Sequence, residues 1–319
     1  SSRRLRHSPC EAAKGAGESP MPNLGAAMVL SRIGWAVLDA MCKLLMLLLP
    51  SPVPVFAAPA KLGPISELRK QHGVALAWLR DRLGPVDGPK ARESWLLRML
   101  ASCNWDRRAA LKKCRASFAL SKRIGYDRIA KFVRENPRPE KWPHGDVVQR
   151  HLPRYFTRTD AGLVVVGLVD TDYDAACKSL SPADFREFCW YAAVFLIELL
   201  VERDEASGDI DAGLYHIMDT QFTNGVPLRW LLRMYPAFYD GGTLLGINAY
   251  VRGWYFCGAR PVRAHIIIMY QRVRAYFLGR SELMKLICFI QPQRDPKQAA
   301  SLQRLFEPKP LPVNFGGFS

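Results

Sequence analysis

The chain has 319 residues, room for one large or two modest domains around a sizeable core. Apolar residues make up 49%, which excludes a disordered chain. A formal net charge of +16 draws the protein to phosphates, of nucleic acid or of anionic lipid, and charge alone does not choose between them.

Residues 1–23 are rich in Ser, Arg, Gly, Ala and Pro and read as disordered. Residues 24–60 are apolar, but Arg32, Asp39 and Lys43 interrupt the first part and Pro50, Pro52, Pro54 and Pro59 break the rest. A membrane-spanning helix needs ~20 clean apolar residues. Two readings fit the segment: a targeting sequence, with Lys43 followed by a leucine-rich run and small residues, or an amphipathic helix from Met28 to Leu49.

From Lys61 the pattern becomes regular. Ile65–Leu83 reads as a helix stopped by Gly84-Pro85, Trp95–Ser102 as a short apolar helix, and Arg107–Gly125 as a third, capped by Asn104 or Asp106. Residues 61–140 thus form a small helical lobe. The polar, proline-rich stretch Asn136–Pro153 reads as a linker. Beyond it, residues 141–319 alternate between strand and helix. Leu163–Val169 is a β-branched strand, and Ser181-Pro182 opens a long helix to about Arg203. Glu205–Asp211 is a polar loop, Gly213–Asp219 a strand, Val226–Met234 a helix and Thr243–Ala249 a strand. Pro261–Leu278 is a long helix and Leu283–Ile290 a strand. Such alternation implies an α/β sandwich around one sheet.

The chemistry of catalysis is poorly represented. The six histidines are scattered, and no Gly-rich phosphate loop, GxSxG elbow or HExxH occurs. Asp170, Asp172 and Asp174 lack the glycine and terminal glutamate of a calcium loop and read as a solvated turn. The eight cysteines form no CxxC pair, so zinc and thioredoxin-like readings lack their spacing, and a reducing compartment is the default. No zinc knuckle, aromatic RNA-binding strand or basic zipper accompanies the positive charge, which leaves nucleic-acid binding the weaker reading of it.

Several stretches, in order, resemble the CRAL-TRIO lipid-binding family. SWLLRMLASCNWDRRAALKKCRASFALSKRIG (94–125) is similar to the family's helical lead-in, and GLVVVGLVD (162–170) to its first core strand. FLIELL (195–200) falls in the helix that follows. GLYHIMDTQFTNG (213–225) looks like the family's strand and turn ending in D and G, YPAFYDGGTLLGINAY (235–250) like its "YPER…INAP", AYFLGRSELMKLICFI (275–290) like its "KPFL…KI", and PLPVNFGG (310–317) like its ending.

The resemblance implies a helical N-terminal lobe followed by a sheet that floors an apolar pocket, with Pro261–Leu278 as the helix that gates it. It implies a carrier of a lipid-sized hydrophobic molecule, not an enzyme, with no metal and no cofactor besides the bound lipid. The lining would be Leu214, His216, Met218, Leu245, Ile247, Ile266, Met269, Tyr270, Val273, Phe277 and Lys285. Leu214, His216 and Ala237 stand where phosphatidylinositol-binding relatives carry polar groups, which argues against a phosphatidylinositol preference. Between Arg252 and Lys285 seven basic residues face one acid, Glu282, so Arg260, Arg263, Arg272 and Arg274 are the expected contacts to an anionic membrane surface. The expected location is cytoplasmic and peripheral to a membrane, with targeting by the N-terminal segment as the open alternative. The alternative within the family is a lipid-sensing scaffold without transfer activity.

Overall fold

The computed structural model describes residues 62–85, 88–159, 162–167, 171–211, 213–219, 230, 233–234, 237, 245–258, 287–290 and 295–306. All lie in the second of two units into which the chain divides after Pro50. The apolar segment before Lys61 and the helix expected at Pro261–Leu278 fall outside the described residues.

A two-residue strand, β1 (Gly63–Pro64), leads into helix α1 (Ile65–Leu83), which buries Leu68, Leu76 and Leu79 and ends at Gly84. Helix α2 (Glu93–Ala101) is buried along most of its length, Arg98 included. In helix α3 (Arg107–Ile124) the Asp106 carboxylate caps the first turn, accepting from the N–H groups of Arg108 (2.8 Å) and Ala109 (3.1 Å). Its far end closes at Gly125, held at φ 69°, where a side chain would be strained. Helix α4 (Tyr126–Glu135) follows at once.

The stretch expected to be a linker is folded. It holds a 3-10 turn, Pro139–Lys141, and helix α5 (Gly145–His151). Trp142 anchors it: the indole N–H donates to the Asn136 carbonyl (2.8 Å) and the ring lies 5.3–6.0 Å from those of Phe156, Phe188 and Phe195. One buried indole with Val148 and Leu152 outweighs the proline and charge content of the segment.

Strands β2 (Arg154–Thr159) and β3 (Gly162–Gly167) form an antiparallel hairpin. Helix α6 (Tyr173–Ser179) precedes helix α7 (Pro182–Ser207). In α7 Ser181 and Asp184 form a reciprocal capping box, with bonds of 3.0 and 3.1 Å. The helix is apolar around most of its circumference and is buried accordingly. It runs past Arg203 into the expected polar loop, and Gly208 at φ 71° ends it. The remainder of that loop supplies β4 (Asp209–Ile210), which pairs antiparallel with β1.

Strand β5 (Leu214–Asp219) lies parallel between β3 and β6 (Val251–Cys257), and β7 (Ile287–Ile290) extends the sheet parallel to β6. The order is β2-β3-β5-β6-β7. Helix α8 (Pro296–Phe306) closes the described chain. The α/β expectation therefore stands in its coarse form: the described residues mix helices, which predominate, with a two-stranded and a five-stranded sheet. The strand expected at Thr243–Ala249 is corrected. Ile247–Ala249 is a 3-10 turn, and the strand begins at Val251. Gly246 at φ 94° breaks the extended run, and the Ala249 N–H turns back to the Gly246 carbonyl (3.0 Å).

Candidate functional site

Side chains alternate along β5, so Leu214, His216 and Met218 share one face and Tyr215 and Ile217 the other. Leu214 is fully buried, in the same core cluster as Leu245 and Ile247. The Leu245 carbonyl accepts from the Ser117 hydroxyl on α3 (2.9 Å), and Gly246 sits against the side chains of Met99 and Trp95 on α2. These three expected lining residues are thus part of a wall shared with the helical lobe. His216 and Met218 are only partly buried, although β5 has a strand on either side. On this face they are the β5 positions whose side chains retain accessible surface.

His216 is electrically quiet. Burial, reinforced by the positive charge of Arg154, pushes its imidazole down to about 3, so the ring is neutral at physiological pH. Arg154 opens β2. Its N–H donates to the Gln149 side-chain carbonyl (2.7 Å), whose amide donates back to the Arg154 carbonyl (3.2 Å). Its guanidinium lies over Phe185 (5.7 Å) and Phe188 (5.8 Å) at the start of α7. Nearby, burial pushes the Cys189 thiol up to about 12 and the Tyr173 hydroxyl up to about 12. Both stay protonated at neutral pH, so the thiol is not an activated nucleophile. The face is a neutral imidazole and a thioether beside a positive charge set among aromatic rings.

Ile266, Met269, Tyr270, Val273, Phe277 and Lys285 of the expected lining lie outside the described residues, as do Arg260, Arg263, Arg272 and Arg274. Among the described residues no group of His, Cys, Asp and Glu is arranged to hold a metal, and no helix is long and apolar enough to cross a membrane.

Two buried polar clusters escaped sequence reasoning. In the first, Arg98 on α2 makes a two-pronged ion pair with Asp204 on α7 (2.6 and 2.7 Å), both side chains fully buried, and its guanidinium lies 4.5 Å from the Tyr250 ring. In the second, Lys90 is 3% exposed and donates to the hydroxyls of Ser117 (2.9 Å) and Ser121 (2.7 Å). It lies 4.7 Å from the Tyr126 ring centre, and burial brings its amine down to about 7. The signal for Arg98 was a lone charge inside an apolar helix, which must find a partner. Nothing in the local pattern marked Lys90. Neither a protein-family model nor a curated protein matches the chain.

Proposed function

We propose that this chain is a CRAL-TRIO-type carrier that holds one lipid-sized hydrophobic molecule against its mixed sheet and presents it at membranes. The observation that carries the reading is order. The stretches resembling the family follow one another along the chain, and four coincide with described elements: the lead-in with α2 and α3, the first core strand with β3, the following helix with α7, and the strand ending in Asp219 with β5. A helical lobe ahead of a mostly parallel sheet is the arrangement the resemblance calls for.

The physics needs no reactive group. Each lipid CH₂ taken from water contributes ~0.8 kcal/mol, and a bilayer offers the same, so a carrier need only match the membrane. On this reading Met218 and His216 touch the ligand from the sheet. The neutral imidazole carries no charge whose desolvation would oppose an apolar ligand. Leu214 at a position where inositol-binding relatives are polar disfavours an inositol phosphate headgroup.

Mass spectrometry of organic extracts of the purified full chain tests the proposal, together with transfer of the extracted lipid between vesicles. A single lipid class, near one molecule per chain and without phosphatidylinositol selectivity, is the expected result. Retention without transfer would make the protein a sensor, and an empty extract that stays empty after incubation with mixed vesicles would refute the reading.

A further inference from the structure

The outer face of the helical lobe carries three contacts that run in order along the seam between α1 and α3. The His72 ring stacks on Trp105 at 3.4 Å and 6°. The Arg107 guanidinium lies 5.0 Å over Trp78. Arg115 donates to the Arg82 carbonyl at 3.2 Å. Both indoles are half-buried, and one turn before Trp78 on α1 Val74 is 83% exposed, the one exposed large apolar side chain among the described residues.

Charge on this seam is predominantly positive. Helix α3 contains seven basic residues and no acidic one. Of these, all but Lys113 are exposed, and Arg108, Lys112, Arg115 and Lys122 recur at helical spacing, with the small side chain of Ala119 between them. The neighbouring carboxylates are already engaged. Asp106 caps α3, Asp81 lies 3.7 Å from Arg82, Glu67 binds Lys70, and Glu93 binds Arg69 and Arg80. Trp105 and Asn104 both hold left-handed backbone, φ 64° and 51°, which is costly for a bulky residue. That turn places the indole against His72 at the lobe surface.

We propose that the α1–α3 seam is a docking surface for an anionic lipid bilayer. Half-exposed tryptophans favour the headgroup level, where an apolar body and a polar N–H are both satisfied. A surrounding ring of Arg and Lys adds attraction to anionic headgroups. A basic helix flanked by half-exposed rings, with an exposed valine on the neighbouring α1, suits an interface with an apolar side better than a polyanion in water. The surface rests on and deepens the carrier reading, and it is built from other residues than Arg260, Arg263, Arg272 and Arg274.

The test is sedimentation of the full chain with phosphatidylcholine vesicles, with and without phosphatidylserine, across a salt series. The variant Arg108→Gln/Lys112→Gln/Arg115→Gln alters exposed positions only. Its binding to phosphatidylserine vesicles at low salt should fall on the order of 100-fold and lose most of its salt dependence. Val74→Glu should weaken binding severalfold, while Arg108→Lys/Arg115→Lys should bind like the parent. Parent-like sedimentation of the triple-Gln variant would overturn the proposal. So would loss of its duplex DNA binding with vesicle binding intact, or loss of vesicle binding only when Arg260, Arg263, Arg272 and Arg274 become Gln. Extracted lipid is measured on the same samples. An empty chain that still docks through α3 fails the carrier reading and leaves the surface standing.

Discussion

Lys90 offers a sharp check on the packing of the helical lobe. The unfolded chain holds this amine at its ordinary pKa of ~10.4, whereas the fold brings it down to about 7, because burial disfavours the charged form. Below pH 7 both states are protonated, and the fold bears the full cost of a buried ammonium. Between about pH 7 and 10.4 the unfolded state binds one more proton than the native state, so this group makes stability rise with pH, by ~1.4 kcal/mol per unit and ~5 kcal/mol over the window. Lys90→Met keeps the length and apolar stem and removes the amine. The hydroxyls of Ser117 and Ser121 keep their own acceptors, the carbonyls of Leu245 and Ser117. The variant forfeits two hydrogen bonds worth ~1 kcal/mol each. It should therefore be more stable than the parent by ~3 kcal/mol near pH 6 and less stable by ~2 kcal/mol near pH 10.5. Urea unfolding followed by tryptophan fluorescence at several pH values measures this. The comparison also cancels the opposing contributions of Cys189 and Tyr173, whose pKa values burial raises. Parallel stability curves for parent and variant from pH 7 to 10 would refute the argument.

Breaking the fully buried Arg98–Asp204 pair with Asp204→Asn should cost about 3–5 kcal/mol, and Arg98→Met/Asp204→Leu should recover most of it, both read from urea midpoints. The ring C–H resonances of His216 should stay fixed from about pH 8 to 5, because the group remains neutral; a midpoint near 6.5 would show the face to be wet. A Cβ on Gly145 would collide with the backbone carbonyl of Pro139, so Gly145→Ala should lower stability by about 2–4 kcal/mol, while Gly73→Ala, which meets nothing within 4 Å, should not destabilise the fold.

Where local chemistry decides an element, the sequence was a good guide. Gly84 and Gly125 stop α1 and α3, Asp106 caps α3, and Ser181 with Pro182 starts α7, all as the residue types demand. Where a distant partner decides, it was not. Asn136–Pro153 looked like a linker because the aromatic cluster that holds Trp142 comes from α7 and β2. The residues around Leu245 looked like a strand because the α2 surface against which Gly246 turns is far away in sequence. Of the expected lining, Leu214, Leu245 and Ile247 proved to be core, and His216 and Met218 keep accessible surface. Alternation alone does not separate a face that meets a ligand from a face that meets a helix.

The Arg98–Asp204 pair also bears on how the chain is made. Its partners are 106 residues apart, and the β1–β4 ribbon, which pairs Gly63 with Ile210, closes a longer span still. At roughly 5–20 residues per second, a ribosome exposes Arg98 some 5–20 s before Asp204 can reach it. For that interval the helical lobe carries an uncompensated charge inside an apolar helix and lacks α7, against which α4 would rest. The lobe therefore cannot finish folding as an independent N-terminal piece. It must be kept from aggregating until the second half emerges, so fragments ending near His151 should be insoluble while the longer chain is not.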